Sequence, residues 1–222
     1  MTLQEKPRQA GVRRKFSLLS LFEAMATPHA LDRYLELVDP MTTVRDLRAE
    51  VTDVHRSTED TVTLTLRPTH QWTGFEAGQF VQVGVVIDGI RHTRCYSPAC
   101  SQYRDDGRIE LTIKAHPEGR VSQYLHREAR PGLVVSLSQA DGTFHLPSPR
   151  PERILLVSGG SGITPVLSML RTLLDEGYSG DLTFLHYAYT EKDVCYRREL
   201  DAIADGHDNV RIVLAYTQQE EG

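Results

Sequence analysis

Ser158-Gly159-Gly160-Ser161-Gly162-Ile163-Thr164-Pro165 is the segment whose residue types point most directly to chemistry. Glycines let a backbone approach a pyrophosphate closely. A helix starting just beyond would offer its first N–H groups and positive dipole end to the same anion. Pro165 suits the first turn of such a helix, where its missing N–H costs nothing. No Gly-Lys-Ser/Thr follows, so this is not a Walker-type loop. A nucleophile elbow on Ser161 would need glycine at 163, where Ile163 stands. A tight strand-to-helix turn that binds nothing is the competing reading. Cys95 and Cys100 have the C-x4-C spacing that opens a plant-type [2Fe–2S] set. The next ligand would fall at position 103, which is Tyr103, so no cluster is expected in this chain. Three cysteines make no disulfide framework and suit a reducing cytosol. The nine histidines are scattered, with no H-E-x-x-H, so no metal site is expected.

The elements around the glycine turn give it a context. Ile154–Val157 reads as a buried parallel strand leading into the turn, and Val166–Glu176 as the helix leaving it. A second strand over 182–188, a helix over 196–204 and a strand over 210–214 complete a βαβαβ pattern, half of a dinucleotide-binding sheet. Upstream, alternating apolar residues predict strands at Val62–Leu66, Phe80–Val85, Ile109–Ile113 and Val134–Leu137. Turn signals such as Asp88-Gly89, Asp106-Gly107 and Asp141-Gly142 separate them. Short strands at this spacing predict a sandwich or small barrel. Pro147, Pro149 and Pro151 make a stiff linker.

The N-terminal segment has a different character. Leu18, Phe22 and Met25, with Leu19 and Ala26, share one helical face; Leu31, Tyr34, Leu35 and Val38 share another. Two readings stay open: helices docked on the following domain, or a basic amphipathic helix at a membrane surface beside Arg13, Arg14 and Lys15. The apolar run 16–22 is short and broken by Glu23, which weighs against an export signal. The 222 residues carry 25 Lys plus Arg against 30 Asp plus Glu. A net charge of −5 gives no nucleic-acid footprint. No apolar run reaches the roughly 18 residues of a membrane span. The expected location is cytoplasmic, with peripheral membrane contact as a variant.

Three motifs in order resemble the ferredoxin–NADP reductase superfamily, and within it the reductases that serve oxygenases, hydroxylases and desaturases. Arg94-Cys95-Tyr96-Ser97 is similar to its R-x-Y-S. Gly119-Arg120-Val121-Ser122 is similar to its G-x-x-S, and Gly159–Pro165 to its G-G-x-G-I-T-P. The resemblance implies an antiparallel flavin-binding β-barrel over 46–148, then a Rossmann-like parallel nucleotide-binding domain over 152–222, incomplete against the family pattern. Residues 1–45 are the helical extension. It implies FAD, less readily FMN, together with NADP or NAD. By that resemblance Arg94 holds a flavin phosphate, Tyr96 lies against the isoalloxazine, and Ser97 places its hydroxyl near the atom that accepts hydride. Tyr96 and Ser97 are the implied catalytic pair. Gly119, Val121 and Ser122 sit near the flavin pyrophosphate, while Gly159, Gly160, Gly162, Thr164 and Pro165 hold the coenzyme.

Departures from the pattern matter as well. The family's later strands and C-G-P motif have no counterpart here, and residues 218–222 read as a loop, so the end resembles a cut. Where many relatives place a selector for the coenzyme 2′-phosphate, this chain has Tyr189 and Thr190, leaving Arg197 or Arg198 to reach it. The implied function passes electrons from NAD(P)H through FAD to a ferredoxin-type [2Fe–2S] protein or domain, serving an oxygenase or a membrane desaturase. The alternative is a flavin- or nucleotide-binding module without turnover.

Overall fold

The computed structural model describes residues 31–218, so the helical face at Leu18, Leu19, Phe22, Met25 and Ala26 lies outside the described residues. The chain divides into two units, with the boundary between Val44 and Arg45. In the first, helix α1 (Leu31–Leu35) is shorter than the periodicity of 31–38 predicts. Leu37 and Val38 are 84% and 88% exposed in the turn that follows. The buried residue there is Asp32, whose carboxylate accepts the N–H of Val44.

The second unit opens with six antiparallel strands. They are β1 (Arg48–Thr58), β2 (Thr61–Pro68), β3 (Val81–Ile87), β4 (Ile90–Tyr96), β5 (Ile109–Lys114) and β6 (Val134–Leu137). Their order in the sheet is β4-β3-β6-β1-β2-β5. The expected barrel takes the form of a sheet open at one seam. The end strands form no ladder, and the chain just past β4 touches β5 at a single bridge, Pro98–Leu111. Alternation puts Val62, Leu64 and Leu66 of β2 and Ile109, Leu111 and Ile113 of β5 into one core with Ala49, Val51, Val81 and Val83. Helix α2 (Arg120–Glu128) covers part of this core with Val121 and Leu125. The threonines that alternate with β2's apolar residues are not a solvent face. Thr63 is 8% exposed and hydrogen-bonds Thr112 of β5 at 2.8 Å.

The parallel half follows the expected βαβαβ order. Strand β7 (Arg153–Gly159) leads through a 3-10 turn at Gly160–Gly162 into helix α3 (Ile163–Asp175). Then come β8 (Asp181–Ala188), helix α4 (Arg197–Gly206) and β9 (Val210–Tyr216). The sheet order is β7-β8-β9, with Leu156 beside Phe184 and Phe184 beside Ile212. Leu167, Leu170 and Leu173 of α3, Leu200 of α4 and Phe184 form the second core on one sheet face. On the other face Leu155 and Val157 are 63% and 50% exposed.

Candidate functional site

The glycine turn stands at the end of the first parallel strand, where such sheets open crevices for ligands. Gly159 closes β7 in extended conformation, and Gly160 turns the chain at φ +53. A Cβ built on Gly160 or Gly162 would meet nothing within 4 Å. The glycines are therefore not demanded by protein crowding, and the space beside them is open. Gly162, the N-cap of α3, offers no side-chain cap, so the first N–H groups of a 13-residue helix lack a side-chain partner. Those groups border a cleft of about 450 Å³. Gly159, Gly160 and Thr164 line it from one side, and Thr61, Thr112 and Lys114 of the antiparallel sheet from the other. Pro165 lies in the first turn of α3 but does not line the cleft.

Strand β4 presents the second group. Its two-residue period points Arg94 and Tyr96 to one face, opposite Val83 and Val81 of β3, and Cys95 to the other, opposite Gln82. The Arg94 guanidinium is exposed and donates only to the Thr93 carbonyl, at 2.7 Å. Among the described residues no acid neutralises it. Tyr96 packs at the rim of the first core, and burial pushes its phenol up to about 12 against the opposing pull of Arg94. Ser97 makes no hydrogen bond among the described residues. The antiparallel bridge of Pro98 with Leu111 places it beside Thr112, a residue of the cleft.

Gly119 and Arg120 border a separate concavity of about 310 Å³, which Arg94, Tyr96 and Ser97 do not line. A Cβ on Gly119 would lie 2.3 Å from Ser122 Oγ, so a side chain there would displace the Ser122 hydroxyl. The Ser122 hydroxyl donates to the Gly119 carbonyl at 3.0 Å and accepts from the His116 N–H at 3.2 Å. Its single proton closes the turn in this arrangement. The backbone at Arg120 and Val121, where α2 starts without a side-chain cap, is what this turn offers an anion. Arg197 is likewise engaged. Its Nε donates to Asp201 at 2.9 Å, and its Nη1 donates to Glu191 at 2.9 Å and to the Tyr216 hydroxyl at 3.0 Å.

Sequence reading missed Lys114, His116, Tyr187 and Cys195, which also line the larger cleft. Lys114 closes an alternating strand, and that strand-end position was the available signal. The three thiols lie at different depths: Cys95 is exposed, Cys195 half-buried and Cys100 buried. Burial raises the last two.

The oxidoreductase FAD-binding domain family matches residues 48–146, and the oxidoreductase NAD-binding domain family matches 156–222. An NADPH oxidoreductase of Mycobacterium tuberculosis is 36% identical over 221 residues, covering 97% of this chain and 58% of that protein. The glycine betaine monooxygenase reductase subunit of Pseudomonas aeruginosa is 37% identical over 135 residues, 61% of this chain and 37% of its own length. Among solved structures, an Amycolatopsis cytochrome P450 reductase superposes with a TM-score of 0.71 at 27% identity, covering 80% of this chain and 53% of that one. The antiparallel sheet coincides with the match to the FAD-binding family, and the parallel sheet with its glycine turn coincides with the match to the NAD-binding family. The chain belongs to the ferredoxin–NADP reductase superfamily. It spans about three fifths, 58%, of the mycobacterial relative.

Proposed function

We propose that this chain is the flavin- and NAD(P)H-binding part of an electron-transfer reductase whose acceptor is an iron–sulfur protein or domain serving an oxygenase or desaturase. The observation that carries the reading is the uncapped glycine turn, open at Gly160, where Gly159, Gly160 and Thr164 face a cleft whose opposite wall adjoins Ser97. Bound FAD would supply the conversion of a two-electron hydride into single electrons. Arg94 would hold a flavin phosphate through its guanidinium fork, with no acid paired to it among the described residues. Tyr96, half-buried, would lie against the ring with its aromatic face. The Ser97 hydroxyl, without a hydrogen bond among the described residues, would orient the reacting edge. Amides of Arg120 and Val121 would face the flavin pyrophosphate, and those of Gly160–Thr164 the coenzyme pyrophosphate. The domain limits we adopt are 46–148 and 152–222.

The acceptor class rests on the glycine betaine monooxygenase reductase among the relatives, and the choice of NADPH on the mycobacterial NADPH oxidoreductase. Arg197, held by Glu191 and Asp201, would meet a 2′-phosphate only by exchanging one carboxylate for it, whereas Arg198 is exposed. The test is an anaerobic absorbance titration of the FAD-loaded chain with NADPH and then NADH. Bleaching of the flavin band is the expected result. Bound flavin that stays yellow with both coenzymes would overturn turnover by this chain and leave a binding module.

A further inference from the structure

The antiparallel and parallel halves are joined by polar side chains along one stripe of helix α3. Ser168, Arg171, Thr172 and Glu176 recur at intervals of three and four, which places them on one side of the helix and its first residue beyond. Ser168 Oγ donates to the Cys100 carbonyl at 2.7 Å, and Arg171 Nη1 to the Ala99 carbonyl at 2.8 Å. Thr172 Oγ1 accepts the Gln102 N–H at 3.1 Å, and Glu176 accepts the Tyr103 hydroxyl at 2.9 Å. Ser168 and Thr172 are 0% exposed. The bonded segment, 99–103, begins two residues after Ser97, and Ala99 N–H is itself tied to the Glu110 carbonyl of β5.

Arg171 is the centre of this junction. Besides Ala99, its Nη1 donates to Glu110 of β5 at 2.8 Å. Its Nε and Nη2 form a fork on Glu199 of α4, at 2.6 and 2.7 Å. The guanidinium lies 5.0 Å from the ring centre of Tyr196, whose hydroxyl donates to the same Glu110 and meets Thr112. Tyr196 holds φ +65, a left-handed conformation costly for a non-glycine residue and maintained here by these contacts. One cation therefore ties β5, the segment after Ser97, α3 and α4. Helix α3 carries the glycine turn at its other end.

We propose that Arg171 is a positioning residue, fixing the glycine turn of the parallel half against Tyr96 and Ser97 of the antiparallel half so that flavin and coenzyme meet in one geometry. The proposal rests on the function argued above and assigns that site its alignment device. Arg171 does not line the cleft. Its removal should therefore spare binding and lower the rate.

The test compares the FAD-loaded chain with Arg171→Lys, which keeps the charge without the fork, and with the double variant Ser168→Ala/Thr172→Val, which keeps Arg171. FAD and 5′-AMP should bind to both within about a factor of three of the parent. Amide exchange at 99–103 should accelerate about tenfold or more. The limiting rate of flavin bleaching by NADPH should fall about 10- to 100-fold, as an ångström-scale misplacement implies. Unchanged exchange and rate would overturn the proposal, and so would parallel loss of both binding constants, which a purely structural role predicts. If the parent binds both ligands but is never bleached, the functional reading falls separately. The junction is then judged on whether 5′-AMP slows exchange at 99–103 in the parent but not in Arg171→Lys; no such difference overturns it.

Discussion

Arg94 contributes almost nothing to the fold, since its guanidinium is exposed and bonded only to the neighbouring carbonyl. Its replacement therefore separates binding from stability. Arg94→Ala should leave the melting temperature of the flavin-free chain unchanged. It should weaken FAD binding about 10- to 150-fold, the equivalent of the 1.5–3 kcal/mol of a hydrogen bond to a charged group. Flavin fluorescence quenching measures it. The glycine turn offers a matched contrast. Gly160 needs its left-handed φ of +53, so Gly160→Val should cost about 1–3 kcal/mol of stability besides obstructing the cleft. Gly162 has φ −70 and open space around it, so Gly162→Ala should change stability by less than about 0.5 kcal/mol. Calorimetry with 5′-AMP on Gly162→Ala should show an affinity close to that of the parent, because Gly162 does not line the cleft, whereas Gly160→Val should weaken it.

The parallel sheet encloses a hydrogen-bonded pair with one titratable member. Ser158 of β7 and His186 of β8 are register neighbours, hydrogen-bonded at 2.9 Å, and His186 is 1% exposed. Burial lowers His186 from its ordinary 6.5. The folded chain thus holds the ring neutral where the unfolded chain would already take a proton. The stabilisation is complete above pH 6.5 and is lost as pH falls below that value through the folded pKa. Denaturant unfolding at stepped pH should show a slope of at most about 1.4 kcal/mol per pH unit from this group, and His186→Gln should remove it. Elements with strong periodicity were legible in the sequence: β2, β5, β6 and the βαβαβ order, with ends displaced by up to three residues. Strand β1 reads RAEVTDVHRST and β4 reads IRHTRCY, too polar for an alternation argument. Both are held by ladders to neighbours that the local sequence does not reveal. Helix α2 was read only as a turn motif, because two buried residues, Val121 and Leu125, are its main apolar anchors.

At the scale of the molecule, the junction between halves was the illegible part of the site. Glu110, Arg171 and Glu199 are individually ordinary surface residue types, and 61 and 28 residues separate the pairs they form. A second contact at this junction is steric. A Cβ on Gly78 would lie 2.3 Å from Met169 Cε of α3 and 2.4 Å from the Phe144 carbonyl, at φ +104. Gly78→Ala should therefore destabilise the chain by about 2–5 kcal/mol, combining backbone strain with overpacking. Adding Met169→Ala should not restore it, since the Phe144 carbonyl is backbone; thermal unfolding of the single and double variants checks this. The graded depth of the three cysteines has a further consequence, in reaction rates. A limiting amount of alkylating reagent should consume Cys95 first, on the strand face turned away from Arg94 and Tyr96, then Cys195, with Cys100 last. Cys195 lines the cleft, so 5′-AMP should slow its alkylation and leave that of Cys95 unchanged. The chain thereby carries an attachment point for a dye away from the cleft and a chemical clock for coenzyme occupancy within it.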